Sequence, residues 1–191
     1  LGMDVSTSVT GITVLDPPPP GDDRPRLVLM THVELARFDD FWAKADELRR
    51  VMSHLKHDMD KSTVASATHA FVEESLQAFR PGLSSAATLM TLAKFNGVAC
   101  MIVRDVLGLT PEPIAATSAR KACGVRVQRG TPAKQQTFDQ MTGPGGPLAG
   151  HAFPTKRQTK KTLGKRPEPV GWAYDEVDSY VIAWAGLRSL S

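Results

Sequence analysis

The sequence has few cysteines and no long apolar run. Its 191 residues include two cysteines, Cys100 and Cys123, and neither has a Cys-x-x-Cys partner or a histidine at metal-ligand spacing. Two such residues do not make the disulfide framework of a small secreted domain, so we expect reduced thiols in a reducing intracellular compartment. No run approaches the roughly 20 apolar residues that span a bilayer, and no secretory signal pattern is present. We therefore expect no membrane partner.

An initiator methionine is also missing, since the first residue is Leu1 and the residues after it already have the pattern of a strand. We expect that upstream residues were removed or not included. Cleavage of a targeting segment for a mitochondrion or another organelle is one explanation. The length fits one domain with a single substantial core, so we expect residues 1–191 to form one domain.

Acidic residues are nearly absent from one part of the chain. Residues 113–167 contain 11 Lys and Arg residues and a single acid, Asp139, whereas residues 1–112 contain 11 basic and 15 acidic residues. A concentrated basic block is typical of proteins that contact a polyanion. The sequence therefore predicts nucleic-acid contact, with a solvated basic loop as the alternative.

The order of elements predicts a mixed α/β fold. Three apolar segments, at residues 1–5, 9–15 and 26–35, predict an antiparallel meander of strands. Prolines 111 and 113 end the second helical region. Further strands are expected at residues 70–72 and 114–117, and helices at residues 39–55, 84–107, 132–141 and 172–190. Residues 142–171 are rich in Gly, Pro and Lys and predict an extended basic excursion from the domain.

Four carboxylates stand out by their positions. Asp4 lies within the first strand, where an acid beside apolar neighbours needs a partner or a metal. Glu73 directly follows an apolar triplet, for which reason we prefer it to Glu74. Asp175 and Asp178 share one face near the start of the last helix, where acids also suit the helix dipole. Carboxylate oxygens are the ligands that Mg²⁺ prefers, and two such ions about 4 Å apart can support phosphodiester hydrolysis.

Several segments resemble the motifs of the RuvC-type Holliday-junction resolvases. Residues 2–11, Gly-Met-Asp-Val-Ser-Thr-Ser-Val-Thr-Gly, resemble the first motif, in which a strand Asp precedes a small-residue turn and a Thr-Gly pair. Residues 71–73, Phe-Val-Glu, look like the second motif, and residues 175–180, Asp-Glu-Val-Asp-Ser-Tyr, are similar to the last. Residues 119–124 and 133–134 resemble the family's basic stretch. The family's bacterial members often have a histidine near the last acids, and the nearest one upstream here is His151.

The resemblance implies a ribonuclease-H-like mixed sheet flanked by helices, and a homodimer that resolves branched DNA as a crossover junction endodeoxyribonuclease. It implies that Asp4, Glu73, Asp175 and Asp178 ligate two Mg²⁺ or Mn²⁺ ions. Lys134 is expected to approach the scissile phosphate or a neighbouring one. The residues expected to bind nucleic acid are all basic: Arg120, Lys121, Lys134, Lys156, Arg157, Lys160, Lys161, Lys165 and Arg166.

A second hypothesis comes from another class of protein. The basic excursion would also suit a non-catalytic, resolvase-like RNA-binding component or assembly factor of a ribonucleoprotein, such as an organellar ribosome. The excursion contains no aromatic residues among its lysines and arginines, so we expect phosphate contact in place of base stacking.

Overall fold

A computed structural model describes residues 1–57, 67–74, 85–158 and 167–190. The strands in this part of the chain are β1 (Gly2–Asp4), β2 (Val9–Asp16), β3 (Arg26–Glu34), β4 (Ala70–Glu73) and β5 (Pro111–Ile114). The helices are α1 (Phe41–His57), α2 (Ala86–Leu107), α3 (Ala116–Ala122), α4 (Ala133–Thr142) and α5 (Gly171–Ser189).

The strands form one mixed sheet in the order β3-β2-β1-β4-β5. The first three strands are antiparallel neighbours, whereas β1 pairs with β4, and β4 with β5, in parallel. Parallel neighbours require crossover connections, and α1 and α2 lie in the chain before β4 and β5 respectively. The predicted α/β fold, with a three-stranded meander and further parallel strands, is confirmed.

The last strand lies earlier in the chain than predicted. The sequence indicated a strand at residues 114–117, but β5 spans Pro111–Ile114 and α3 already begins at Ala116. The two prolines suggested a break because proline cannot donate to a strand ladder. Within the described sheet, however, β5 is an edge strand, and proline is tolerated at edges where its missing N–H faces away from the neighbouring strand.

Helix α2 is bounded by two strong end signals. The Ser85 side chain accepts a hydrogen bond from the Thr88 backbone N–H, and the helix ends at Gly108, whose φ of 75° lies in the left-handed region. By length and composition α2 is apolar enough to cross a membrane, which the sequence analysis did not anticipate. One face of the helix, including Phe95, Ala99 and Ile102, is buried in the core of the fold.

The helices cover both faces of the sheet. Because successive strand residues point to opposite faces, Met3 and Val72 join a core with α1 and α2, whereas Phe71 joins a second core with α3, α4 and α5. Helix α5 supplies most of the second core and packs against β1 and β2. The described part of the basic excursion also contacts this core, since Phe153 packs edge-on against Phe138 with ring centroids 5.1 Å apart.

Candidate active site

Two of the predicted acids end adjacent parallel strands on the face that α5 covers. Asp4 is the last residue of β1 and Glu73 the last residue of β4. Since Met3 and Val72 point into the opposite core, both acids point toward α5. The Asp4 side chain is only 5% exposed. An acid this buried requires compensating partners.

The first turns of α5 are held against β2 at close range. Asp4 lies opposite Gly11 in the β1–β2 pair, and a Cβ at Gly11 would collide with the backbone carbonyl of Asp175. The buried hydroxyls of Thr13 and Ser179 share a hydrogen bond of 2.7 Å. The glycine of the Thr-Gly pair in the first motif thus has a physical reason: its missing Cβ lets α5 approach β2 closely at Asp175.

The side chain of Lys134, from the first turn of α4, enters the group of acids. Its ammonium nitrogen lies 2.8 Å from Asp4 Oδ2, 2.6 Å from Asp175 Oδ1 and 3.5 Å from Asp178 Oδ2. The Lys134 side chain nevertheless remains 45% exposed. One cation position is therefore bracketed by carboxylates from β1 and α5, and the lysine that occupies it is reachable from solvent.

A second cation reaches the acids from α3. The Nη2 of Arg120 donates to both carboxylate oxygens of Asp178, at 3.1 and 3.2 Å. The two side chains are 12% and 6% exposed, respectively. We expected Arg120 to contact nucleic acid from the surface, but its guanidinium is turned inward and paired with Asp178. Its Nε is buried and has no hydrogen-bond partner in the described part of the chain.

Asp4 and Glu73 share one proton between them. Burial, together with the hydrogen bond and negative charge of Asp4, raises the pKa of Glu73 to about 9. Burial opposes the charge on Asp4, but hydrogen bonds from Glu73 and the Lys134 ammonium hold the pKa of Asp4 below its usual range. Near neutral pH, Glu73 is therefore the protonated donor and Asp4 the ionised acceptor.

The other carboxylates respond to the same crowding. Burial raises the pKa of Asp175 to about 6, against the opposing effect of Lys134. Burial and the charge of Asp4 also raise the pKa of Asp178. Burial disfavours the charge on Lys134, but Asp4, Asp178 and Asp175 together hold the pKa of its ammonium above the usual range. Lys134 therefore stays protonated across the neutral pH range.

The donor set suits a hard divalent cation. Four carboxylates supply only oxygen ligands, and the Lys134 nitrogen shows that three of them already surround a positive charge. As they are placed, the described residues include no three acids, histidines or cysteines arranged to hold one ion. The types of side chain therefore suit a divalent metal, but a metal could bind only if the Lys134 ammonium left the position that it occupies.

The remaining basic residues lie in different places. Lys121, Lys156 and Arg157 are exposed, and Lys156 pairs with Glu168 across an exposed contact of 3.1 Å. The predicted Lys160, Lys161, Lys165 and Arg166 lie outside the described residues.

One contact near the acids was missed by the sequence analysis. His32 of β3 lies 2.8 Å from the buried Glu176 carboxylate and stacks on Trp172, with ring centroids 4.1 Å apart. Glu176 lies next to Asp175 in the chain, so this pair ties the first turns of α5 to β3. Along the sequence, His151 was the nearest upstream histidine. What could have pointed to His32 is its place in β3, the predicted neighbour of the strand that contains the Thr-Gly pair, β2.

Comparisons with known proteins agree with this architecture. The chain is similar to the Thermus thermophilus RuvC structure, and the alignment covers 99% of this chain and 93% of that one, with 15% sequence identity and a TM-score of 0.62. The structure of T. thermophilus RuvC in complex with Holliday junction substrate matches 99% of this chain and 92% of its own, with 12% identity and a TM-score of 0.59. No protein-family model and no curated protein matches the sequence. At these identities the similarity establishes the fold alone: the chain has a RuvC-like fold of the ribonuclease-H-like class.

Proposed function

We propose that this protein is a divalent-metal-dependent endodeoxyribonuclease that cuts branched DNA such as Holliday junctions. The observation that carries the proposal is the convergence of three carboxylates, from β1 and α5, on one cation position, with a fourth, Glu73 of β4, hydrogen-bonded to Asp4 beside it. A RuvC-like fold supports the same substrate class, because one of the matched structures holds T. thermophilus RuvC with a Holliday junction substrate.

The proposed ligands are Asp4, Asp175 and Asp178, with Glu73 joining them after it loses its proton. A divalent cation bound there would supply a water nucleophile at neutral pH and stabilise the leaving oxygen of the phosphodiester. The carboxylates lie on two strands and one helix, whose packing keeps them in place. Because Glu73 must ionise to act as a ligand, metal binding releases a proton.

Lys134 has a separate role in this proposal. Its side chain is nearly half exposed and ends in three rotatable donors on a flexible stem. A metal bound there would displace the ammonium, which could then pair with a phosphate of the DNA. The exposed Lys121, Lys156 and Arg157 supply further phosphate contacts. Two opposed strands of a junction would require two such sites, so a homodimer is part of the proposal.

A cleavage assay on a synthetic four-way junction, with Mg²⁺ or Mn²⁺, tests the activity. We expect paired cuts by the wild-type protein and loss of cutting by Asp4→Asn, which removes one ligand charge and keeps the shape. Asp46→Asn, an exposed acid on α1, is the matched control and should cut normally. Absence of cutting by a folded wild-type protein, or full activity of Asp4→Asn, would overturn the proposal.

One observation favours a second candidate function. Lys134 and Arg120 together already pair with three of the four acids, which would suit a site that has exchanged its metals for internal cations. Such a protein would be a non-catalytic, resolvase-like RNA-binding component or assembly factor of a ribonucleoprotein, such as an organellar ribosome. Sedimentation of the native protein with a large RNA particle, together with an unfolding temperature that Mg²⁺ leaves unchanged, would favour it. A free dimer that Mg²⁺ stabilises would exclude it.

A further inference from the structure

The two cations that pair with the acids differ in how firmly they are held. Lys134 is 45% exposed and comes from a helix that packs on α5, whereas Arg120 is 12% exposed and comes from α3 next to the fully buried Ala119. A solvent-reachable lysine can withdraw from its position. An arginine enclosed by the packing of α3 on α5 cannot withdraw without moving the helix.

Arg120 contacts both carboxylate oxygens of its acid, whereas Lys134 contacts one oxygen of each acid around it. The Nη2 of Arg120 lies within 3.2 Å of both oxygens of Asp178, so neither oxygen is free of the guanidinium. Arginine stays charged at every pH at which proteins fold. Its Nε is buried without a hydrogen-bond partner among the described residues, so the contact with Asp178 is the interaction that holds the guanidinium in place.

There is no space beside Arg120 for a hydrated ion. The small void that Glu73, Arg120 and Asp178 line has no room for a water-sized sphere. Mg²⁺ gives up its water reluctantly and keeps several water ligands in most protein sites. The Lys134 position differs, because the side chain that occupies it is 45% exposed.

We propose that Arg120 is a permanent cation of this site, and that the site therefore binds one divalent ion, at the position of the Lys134 ammonium, where a RuvC-like fold implied two. This inference rests on the proposed metal-dependent function. Arg120 acts through Asp178, which it holds and whose charge it offsets, so it is a positioning residue. Asp178 keeps one oxygen directed at the Lys134 position, 3.5 Å from the ammonium nitrogen, and can still contribute to a single ion there.

Counting bound Mn²⁺ on the full-length chain tests the proposal without relying on cleavage. Electron paramagnetic resonance measures free Mn²⁺ during a titration, and it also detects exchange coupling between two Mn²⁺ ions about 4 Å apart. We expect one ion per wild-type chain and no coupled signal. Arg120→Lys, which keeps the charge, should also bind one ion. Arg120→Ala removes both the charge and the bulk that fills this position, and it should bind two ions that show coupling.

Different results would overturn the one-ion proposal and the metal-dependent function on which it rests. Two coupled ions on the wild-type chain would overturn the role of Arg120 and leave the metal-dependent nuclease intact. A folded Arg120→Ala variant that still binds one ion would also overturn it. No bound Mn²⁺ on the wild-type chain or on Lys134→Met would reject the proposed metal-dependent function itself. If Arg120→Ala does not fold, the wild-type stoichiometry and coupling decide the question alone.

Discussion

The ammonium nitrogen of Lys134 lies 2.8 Å from Asp4 Oδ2, which places a side chain from α4 at the centre of an acidic cluster built on β1, β4 and α5. In the metal-free protein this lysine therefore does what a metal would do, since it reduces the repulsion among carboxylates that burial forces together. Under the proposed function, the Lys134 ammonium and a metal ion would compete for the same position.

Removal of this ammonium should destabilise the metal-free protein. Lys134→Met leaves Asp4, Asp175 and Asp178 without their shared cation, so in a chelating buffer we expect a loss of about 1–3 kcal/mol. This loss is smaller than the cost of breaking a fully buried ion pair, because solvent screens the charge of the half-exposed Lys134. The unfolding temperature should fall by several degrees. Thermal unfolding in EDTA measures this effect, with Lys121→Met, an exposed lysine on α3, as the control.

The same variant should respond more strongly to metal. With no lysine to displace, Mg²⁺ should bind Lys134→Met more tightly and raise its unfolding temperature more than that of the wild type, because tighter binding to the folded state gives greater stabilisation. An equal Mg²⁺ response in the two proteins would contradict the idea that lysine and metal compete.

The proton held by Glu73 should make stability depend on pH. The folded protein keeps this proton up to its pKa of about 9, whereas the unfolded chain loses it near the ordinary value, about 4.3. Between these values the unfolded state binds fewer protons than the folded state, so the contribution of Glu73 to the free energy of unfolding falls as pH rises. Glu73→Gln keeps the hydrogen bond to Asp4 and removes the titration.

Denaturant unfolding in EDTA at about pH 5 and about pH 8 measures the result. The stability of Glu73→Gln relative to wild type should increase by up to about 4 kcal/mol across this range, since the folded wild type keeps the extra proton over nearly three pH units and each unit corresponds to about 1.4 kcal/mol. Asp175, with its pKa of about 6, contributes in both proteins and cancels in the difference. Glu112→Gln, on the exposed side of β5, serves as the control. A difference that does not change with pH would refute the assignment of the proton to Glu73.

The acids of the cluster could be predicted from the sequence because each has a local signature. Asp4 and Glu73 follow apolar strand residues, and Asp175 and Asp178 are spaced by one helical turn. The order of elements indicated parallel strands beside the meander, and the structure shows that β4 pairs in parallel with β1, which brings the carboxyl ends of both strands to one edge. The sequence pattern therefore contained both the fold class and the four acids that converge.

The cations could not be predicted in the same way. Whether Arg120 faces solvent or Asp178 depends on how α3 packs against α5, and the basic residues around it suggested a surface. His32 reaches Glu176 across 144 residues of sequence, which no local spacing reveals. The last strand was predicted at residues 114–117, whereas β5 spans Pro111–Ile114. Proline is tolerated in an edge strand, but whether a strand lies at an edge is known only once the sheet is assembled.

The close approach of α5 to β2 gives a prediction that tests the geometry of the site. Gly11→Ala places a Cβ against the Asp175 backbone carbonyl, and because this neighbour is backbone, β2 or α5 must shift. We expect destabilisation of about 1–3 kcal/mol, as for other overpacked sites. We also expect a loss of junction cutting greater than the fraction of unfolded protein would explain. Gly97→Ala on α2 has open space around its Cβ and should be neutral or slightly stabilising. Equal behaviour of the two variants in unfolding and cleavage would contradict the tight packing.

Phosphate contact by the exposed basic residues should be visible in the salt dependence of binding. Each phosphate neutralised by a lysine or arginine changes the slope of log K against log salt concentration by about 0.9 on duplex DNA. Lys156→Ala/Arg157→Ala should therefore reduce the slope by about one to two and weaken binding on all sequences alike. Lys94→Ala/Arg104→Ala removes the same charge from α2, on the opposite face of the sheet, and should leave the slope unchanged. Fluorescence anisotropy with a labelled junction in Ca²⁺, at several salt concentrations, measures both slopes. Equal slopes for the two double variants would place the phosphate contacts elsewhere on the protein.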